Sequence, residues 1–162
     1  MTLRERQDQF IADMAMFDNW TDRFNYLIEL AEELPAEFPQ QLLPFRIEGC
    51  QSKTCFKAGL YGNIIFTDGW SNSAIMGGII VAIMEIFNGI KVIDIQNTCI
   101  DFHIKSGLID NLTPMRRAAL EEIIRRILLI VKHKIKTTKY ISRSFHLHNF
   151  LDSVFFIQLT EN

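Results

Sequence analysis

Residues 45–67 read FRIEGCQSKTCFKAGLYGNIIFT, and this stretch decides how the chain is organised. Thr54 to Leu60 and Asn63 to Thr67 are strand-like runs that meet at Tyr61-Gly62, a hairpin signal. Ahead of them, Phe45 to Glu48 has the character of a short strand and leads into a polar turn, Gly49-Cys50-Gln51-Ser52. A structural cysteine commonly sits inside an apolar element, where it behaves as a small hydrophobe. Cys50 instead follows a glycine and precedes Gln51, Ser52 and Lys53. Such a setting leaves sulfur near solvent, among amide donors and close to a positive charge, conditions that favour the reactive thiolate. Cys50 is therefore the candidate working residue, with Lys53 expected to lower its pKa.

Outward from this centre the pattern turns helical. Residues 3–17 place Phe10, Ile11, Met14 and Phe17 on one face. Asp18-Asn19 can cap a second helix from about Trp20 to Leu34, with Phe24, Leu27, Ile28 and Ala31 at helical spacing. Pro35 ends it, and Pro39 and Pro44 mark an extended connection. Beyond the hairpin, Asp68-Gly69-Trp70-Ser71 closes the sheet region. Ser71, Asn72 or Ser73 can then cap a helix to about Phe87, stopped by Asn88-Gly89. Gly77-Gly78 are costly in a helix, so close packing is expected there, with the cysteine hairpin as the candidate neighbour. A short helix or turn at Val92 to Asn97 precedes an irregular apolar stretch to Leu112. Thr113-Pro114 open a helix with the stripe Leu120, Ile123, Ile124, Ile127 and Leu128. The periodicity weakens from about Leu129, and Val154-Phe155-Phe156-Ile157 is strand-prone.

The chain has 162 residues, 48% hydrophobic and 22% charged, with a formal net charge of −2. That is enough for one domain with its own core. Near-neutral charge argues against nucleic acid as the main partner. Residues 1–40 are rich in acids and residues 128–162 in bases, an asymmetry that could steer a partner protein. Three cysteines do not make a disulfide framework. Arg4, Arg6, Asp8 and Asp13 interrupt the first twenty residues, which argues against a signal peptide. No apolar run reaches the roughly 18–20 residues of a membrane span, so a reducing cytoplasm is the expected location. Strand alternation points Cys55 into the packing face, with a resolving thiol for Cys50 as its functional alternative. Cys99, in an apolar setting, is expected in the core. His103 is expected to satisfy a local hydrogen bond. A zinc site using Cys50, Cys55 and His146-x-His148 would have to span the chain, and no metal is expected.

Several segments fall together in the order of one known family. Trp20, Tyr26-Leu27-Ile28-Glu29-Leu30, Leu34-Pro35, Ile47 to Ser52, Gly78 and Leu112-Thr113-Pro114-Met115-Arg116 resemble the SufE family, over about residues 5–127. The resemblance implies an α+β fold similar to the IscU scaffold, a small antiparallel sheet packed against helices. It implies a sulfur-acceptor domain over residues 1–128, with residues 129–162 an unassigned C-terminal extension. It also implies a role in iron–sulfur cluster assembly. A pyridoxal-phosphate cysteine desulfurase of SufS or CsdA type forms a persulfide, and Cys50 takes that sulfur, stimulates the desulfurase and passes the sulfur toward a downstream scaffold. Gly49, Gln51 and Ser52 would shape the turn, and Arg116 resembles the arginine that follows Leu-Thr-Pro in the family. No cofactor is implied on this chain, because the partner carries it. Thr54-Cys55 stand where the family commonly has Val-Trp, and Trp70-Ser71-Asn72 where it has Asp-Ser-Asp.

Two other readings compete. A hydrolase would use Cys50 as nucleophile and His103 as base. Alternatively, the departures beside Cys50 would suit an interaction module that has lost sulfur transfer.

Overall fold

The computed structural model describes residues 1–144 and the side chains of residues 1–135; His146, His148 and the strand-prone segment at 154–157 lie outside these. Helices α1 (Leu3–Ala15) and α2 (Trp20–Leu30) lead to a 3-10 turn at Ala31–Glu33 and a second at Gln40–Phe45. Strands β1 (Thr54–Tyr61) and β2 (Ile64–Ser71) pair antiparallel, with Thr54 opposite Ser71 and Tyr61 opposite Ile64. Helices α3 (Ala74–Phe87), α4 (Val92–Asn97), α5 (Phe102–Lys105), α6 (Leu108–Asn111) and α7 (Pro114–Ser144) complete the described chain. Helices with a two-stranded antiparallel sheet make the fold α+β, as expected.

The capping signals act as their chemistry dictates. Thr2 and Glu5 form a reciprocal capping box on α1, and Asn19 accepts from the Asp22 amide at the start of α2. Ser73 caps α3, which frees Ser71 and Asn72 for other partners. Gly89 takes the left-handed conformation past the end of α3, with φ 81°. There Arg6 donates to the carbonyls of Glu85 and Asn88 at 2.8 and 2.6 Å, a cation against the negative end of the helix.

Helix α3 is the centre of the core. Ten of its fourteen residues are buried, leaving Ala74 and Glu85 exposed, so it must be covered on most sides. It packs against α1, α2 and β2, while α7 covers β1. The close approach at Gly77-Gly78 is made by α2 and the 3-10 turn that follows it, not by the cysteine hairpin. A Cβ at Gly78 would run into the Leu27 backbone, and one at Gly77 would lie 3.0 Å from the Ala31 Cβ. Gly69 of β2 has the same role on the other side, where a Cβ would come within 2.8 Å of Ile80. A small second cluster of Leu42, Cys55 and Trp70, joined by Leu34, Phe38 and Phe45, lies beneath the segment before β1.

Several boundaries differ from expectation. Residues 40–45 coil into a 3-10 helix that includes Pro44, rather than an extended connection. Trp70 Nε1 donates to the Pro35 carbonyl at 2.8 Å and draws this segment onto the sheet. The expected strand at Phe45 to Glu48 shrinks to a single bridge, Arg46 to Cys55. The region between Val92 and Leu112 contains α5 and α6, held by Gln7. The buried Gln7 side chain accepts from the amides of Asp101 and Phe102 at 2.9 and 3.2 Å and donates to the Cys99 carbonyl at 3.0 Å. Helix α7 passes through residue 129 without a break and continues to Ser144. Cys99 is exposed rather than in the core, because its segment uses backbone, not side chain, to meet Gln7. Among the described residues, no helix is long and apolar enough to cross a membrane.

The Gly78 contact is testable. The Leu27 backbone cannot rotate out of the way, so Gly78→Ala should destabilise the protein by about 2–3 kcal/mol. Urea unfolding should show a lower midpoint at an unchanged m value. A midpoint equal to that of the parent protein would mean that α2 does not cross α3 at this point.

Candidate functional site

The Cys50 loop is short and fixed at both ends. Ile47 is buried, and its amide donates to the Thr54 carbonyl at 2.8 Å, which closes the loop against the first residue of β1. On the other side, the Lys53 amide donates to Asn72 Oδ1 at 2.9 Å and the Asn72 amide to the Lys53 carbonyl at 3.1 Å. The chain reverses at Gly49, whose φ of 75° lies in the left-handed region open to glycine. Glu48, Gly49 and Gln51 are exposed, whereas Cys50 and Ser52 are half-buried.

A third anchor comes from α7. Arg126 donates to the carbonyls of Phe45 and Phe56 through Nη1, at 2.8 and 3.0 Å, and to that of Arg46 through Nη2, at 2.8 Å. Glu122, one helical turn back, holds its Nε at 2.9 Å. One guanidinium thus ties the segment entering the loop to the strand leaving it. Sequence reading missed Arg126; an i,i+4 acid–arginine pair on a helix reads as an ordinary solvated pair.

The sulfur of Cys50 faces hydroxyls. Its Sγ lies 3.1 Å from Ser52 Oγ and 3.6 Å from Thr54 Oγ1. Burial pushes the thiol up, but the side-chain bonds to Ser52 and Thr54, a bond from the Ser52 backbone and the Arg116 charge pull it down, and the net shift is downward. Arg116, in the first turn of α7, acts on Cys50 through its charge, the smallest of these influences. The expected contribution of Lys53 is corrected: its ammonium sits 3.2 Å above the Phe38 ring, and its charge acts on Cys55. Gln51 is in the turn but exposed; of the four residues expected to shape the site, Ser52 touches the sulfur and Arg116 acts on it through charge alone.

Cys55 is buried in the second cluster, and burial raises its pKa against the charges of Lys53, Arg46 and Arg126. Successive strand residues point to opposite faces. Thr54 turns toward Cys50, so Cys55 projects to the opposite face of β1, which is unfavourable for a resolving thiol. His103 is not brought to the sulfur. It is buried on α5, where burial lowers its pKa, and the charges that act on it are Asp101 and Glu121. Its Nδ1 has no hydrogen-bond partner among the described residues, contrary to the expected local bond. A nucleophile–base pair between Cys50 and His103 has no support in this geometry. Among the described residues, no group of three or more His, Cys, Asp or Glu side chains is placed to hold a metal ion.

Comparison with known proteins gives the family and the fold. Residues 8–130 match the SufE family, described as the Fe-S metabolism associated domain. An uncharacterized SufE-like protein of Rhizobium meliloti is 32% identical over 127 residues, covering 74% of this chain and 90% of that protein. A second uncharacterized SufE-like protein, from Rhizobium etli, is 28% identical over 126 residues, covering 74% and 85%. The solution structure of a hypothetical protein from Thermus thermophilus superposes with a TM-score of 0.64 at 18% identity, covering 81% of this chain and 96% of that one. That likeness concerns the fold. Since the matched span contains the Cys50 loop, the hairpin, α3 and the start of α7, the chain belongs to the SufE family, whose domain is associated with iron–sulfur metabolism.

Proposed function

We propose that this protein is a sulfur acceptor that takes persulfide sulfur onto Cys50 from a pyridoxal-phosphate cysteine desulfurase of SufS or CsdA type. The carried sulfur then goes to iron–sulfur cluster assembly, where a downstream scaffold receives it. The observation that carries this reading is a half-buried thiol with a lowered pKa, presented on an exposed loop that is pinned on three sides.

The chemistry is thiol exchange. The Cys50 thiolate attacks the outer sulfur of the partner's persulfide. A new S–S bond forms to Cys50, the S–S bond on the partner breaks, and the partner's cysteine leaves as a thiolate. The proton on the transferred sulfur passes to solvent or stays, according to pH. No external oxidant or reductant is needed, because sulfane sulfur is moved and not created. Clearing the desulfurase cysteine in this way would stimulate its turnover.

The pinned loop has a use in this scheme. A nucleophile held in one geometry loses little freedom on docking, which lowers the entropic part of the barrier. Exposed Glu48, Gly49 and Gln51 leave room for another protein to approach. A reducing compartment such as the cytoplasm would keep Cys50 and the exposed Cys99 as thiols.

Mass spectrometry after incubation with a cysteine desulfurase and cysteine should find one added sulfur on Cys50. Cys50→Ala should abolish it, while Cys55→Ala should reduce it modestly or not at all. Undiminished sulfur uptake in Cys50→Ala would refute the assignment. The pH dependence follows from the lowered pKa: the reactive thiolate persists at lower pH than in an ordinary thiol and is lost as pH falls through the lowered value. Alkylation of Cys50 in the isolated protein should therefore titrate with a midpoint below about 8.5, the value of a free thiol. Arg116→Gln, which removes one of the smaller favourable influences, should raise that midpoint by roughly a few tenths of a pH unit.

A further inference from the structure

The contacts of Thr54 extend well past the sulfur. Thr54 is fully buried at the first position of β1, and its Oγ1 lies 2.9 Å from Ser52 Oγ and 2.8 Å from Ser71 Oγ. Ser71, the last residue of β2, is also buried, and its Oγ accepts from the Ser73 backbone amide at 3.2 Å. Cys50, Ser52, Thr54, Ser71 and the amide of the α3 N-cap residue thus form one continuous line of hydrogen bonds.

The line has a direction. Each hydroxyl carries one hydrogen to donate. The Ser73 amide can act as donor alone, so it fixes Ser71 Oγ as its acceptor. The Ser71 hydrogen is then free for Thr54, the Thr54 hydrogen for Ser52 or for the sulfur, and the Ser52 hydrogen for the sulfur. The opposite direction would leave a buried Ser71 hydrogen without an acceptor, a cost that buried polar groups ordinarily avoid. Bonds aligned in one sense polarise one another, and the last of them strengthens when its acceptor is ionised.

We propose that Thr54 and Ser71 are a hydroxyl relay that runs from the start of α3 through Ser52 and holds the Cys50 sulfur as an acceptor-only thiolate. Thr54 and Ser52 touch the sulfur, whereas Ser71 is a positioning residue that acts through Thr54. When Cys50 loses its proton to solvent, the hydroxyls need no rearrangement, since they already point toward the sulfur. The surrounding charges leave this role to the hydroxyls. The Arg116 charge is the smallest of the influences on the sulfur, while Lys53 lies over Phe38 and Arg126 is bound to carbonyls and Glu122. The inference deepens the sulfur-acceptor reading and relies on it for its biological use.

The test is the pH profile of Cys50 alkylation by iodoacetamide in the full chain, read at the Cys50 peptide by mass spectrometry so that Cys99 does not interfere. Thr54→Val keeps the shape and removes the hydroxyl. It should raise the midpoint by about one pH unit and lower the alkylation rate at neutral pH by up to roughly tenfold. Thr54→Ser should restore the parental midpoint, and Ser71→Ala should raise it by a smaller amount. A purely structural role would predict equal effects from Thr54→Ser and Thr54→Val, or a loss of folded circular dichroism with no change in midpoint. An unchanged midpoint in folded Thr54→Val overturns the relay. If that variant does not fold, an unchanged midpoint in Ser71→Ala overturns it instead. Because alkylation needs no desulfurase, these outcomes are separate from whether Cys50 accepts sulfur.

Discussion

The burial of α3 is the constraint on which the rest of this structure depends. A helix with apolar residues around most of its circumference cannot rest on a surface; α1, α2 and β2 must pack around it. Enclosure is possible because Gly78 lets the Leu27 backbone come close and Gly69 makes room for Ile80. With α3 seated, the three residues before it are fixed beside the Cys50 loop. Ser71 and Asn72 then hold that loop through Thr54 and Lys53. Core packing and placement of the Cys50 loop are therefore one problem in this fold, solved by one helix and its N-terminal residues.

The loop must satisfy opposing demands. A sulfur too deep in the protein would be forced to stay protonated, and one fully in water would be held in no fixed geometry. Cys50 sits between these limits. Desolvation is the largest single influence and acts against ionisation, yet hydroxyl bonds, a backbone bond and the Arg116 charge together outweigh it. Cys55, five positions later, shows the opposite balance: burial dominates over three cations and the thiol is pushed up. Partners decide the difference, since Cys55 is packed with Leu42 and Trp70 whereas Cys50 faces hydroxyls. Arg126 supports the contrast by fixing the backbone on both sides of the loop, which keeps the two cysteines on opposite faces of β1.

Much of this was legible from residues alone, for identifiable reasons. Capping residues and the Asn88-Gly89 stop are local signals whose outcome rests on a few neighbouring dihedrals, and they appear where expected; the hairpin forms too, with its turn one residue later than expected, at Gly62-Asn63. The Cys50 turn was visible because a cysteine between glycine and polar residues is uncommon in a core. What sequence could not show is contact at a distance. Gly77-Gly78 announced a close neighbour without naming it, and α2 with the 3-10 turn that follows it is that neighbour. Lys53 looks like the cation for Cys50 because it is near in sequence, but the Phe38 ring holds it, and the charge that acts on Cys50, weakly, is that of Arg116. Pro44 indicated extension, yet the Trp70–Pro35 bond and the second cluster favour a 3-10 turn. Thr54 and Ser71 read as a strand start and a candidate cap, and only the strand register reveals them as direct partners.

Receipt of sulfur by Cys50 from another protein is the central proposal. Its most direct test is transfer of label from radiosulfur-labelled cysteine, with a catalytic amount of desulfurase and this protein in excess, followed by electrophoresis without reductant. Label is expected on this chain, released by dithiothreitol and absent from Cys50→Ser. Label that bypasses the chain altogether, or that remains on Cys50→Ser at the parental level, would contradict it.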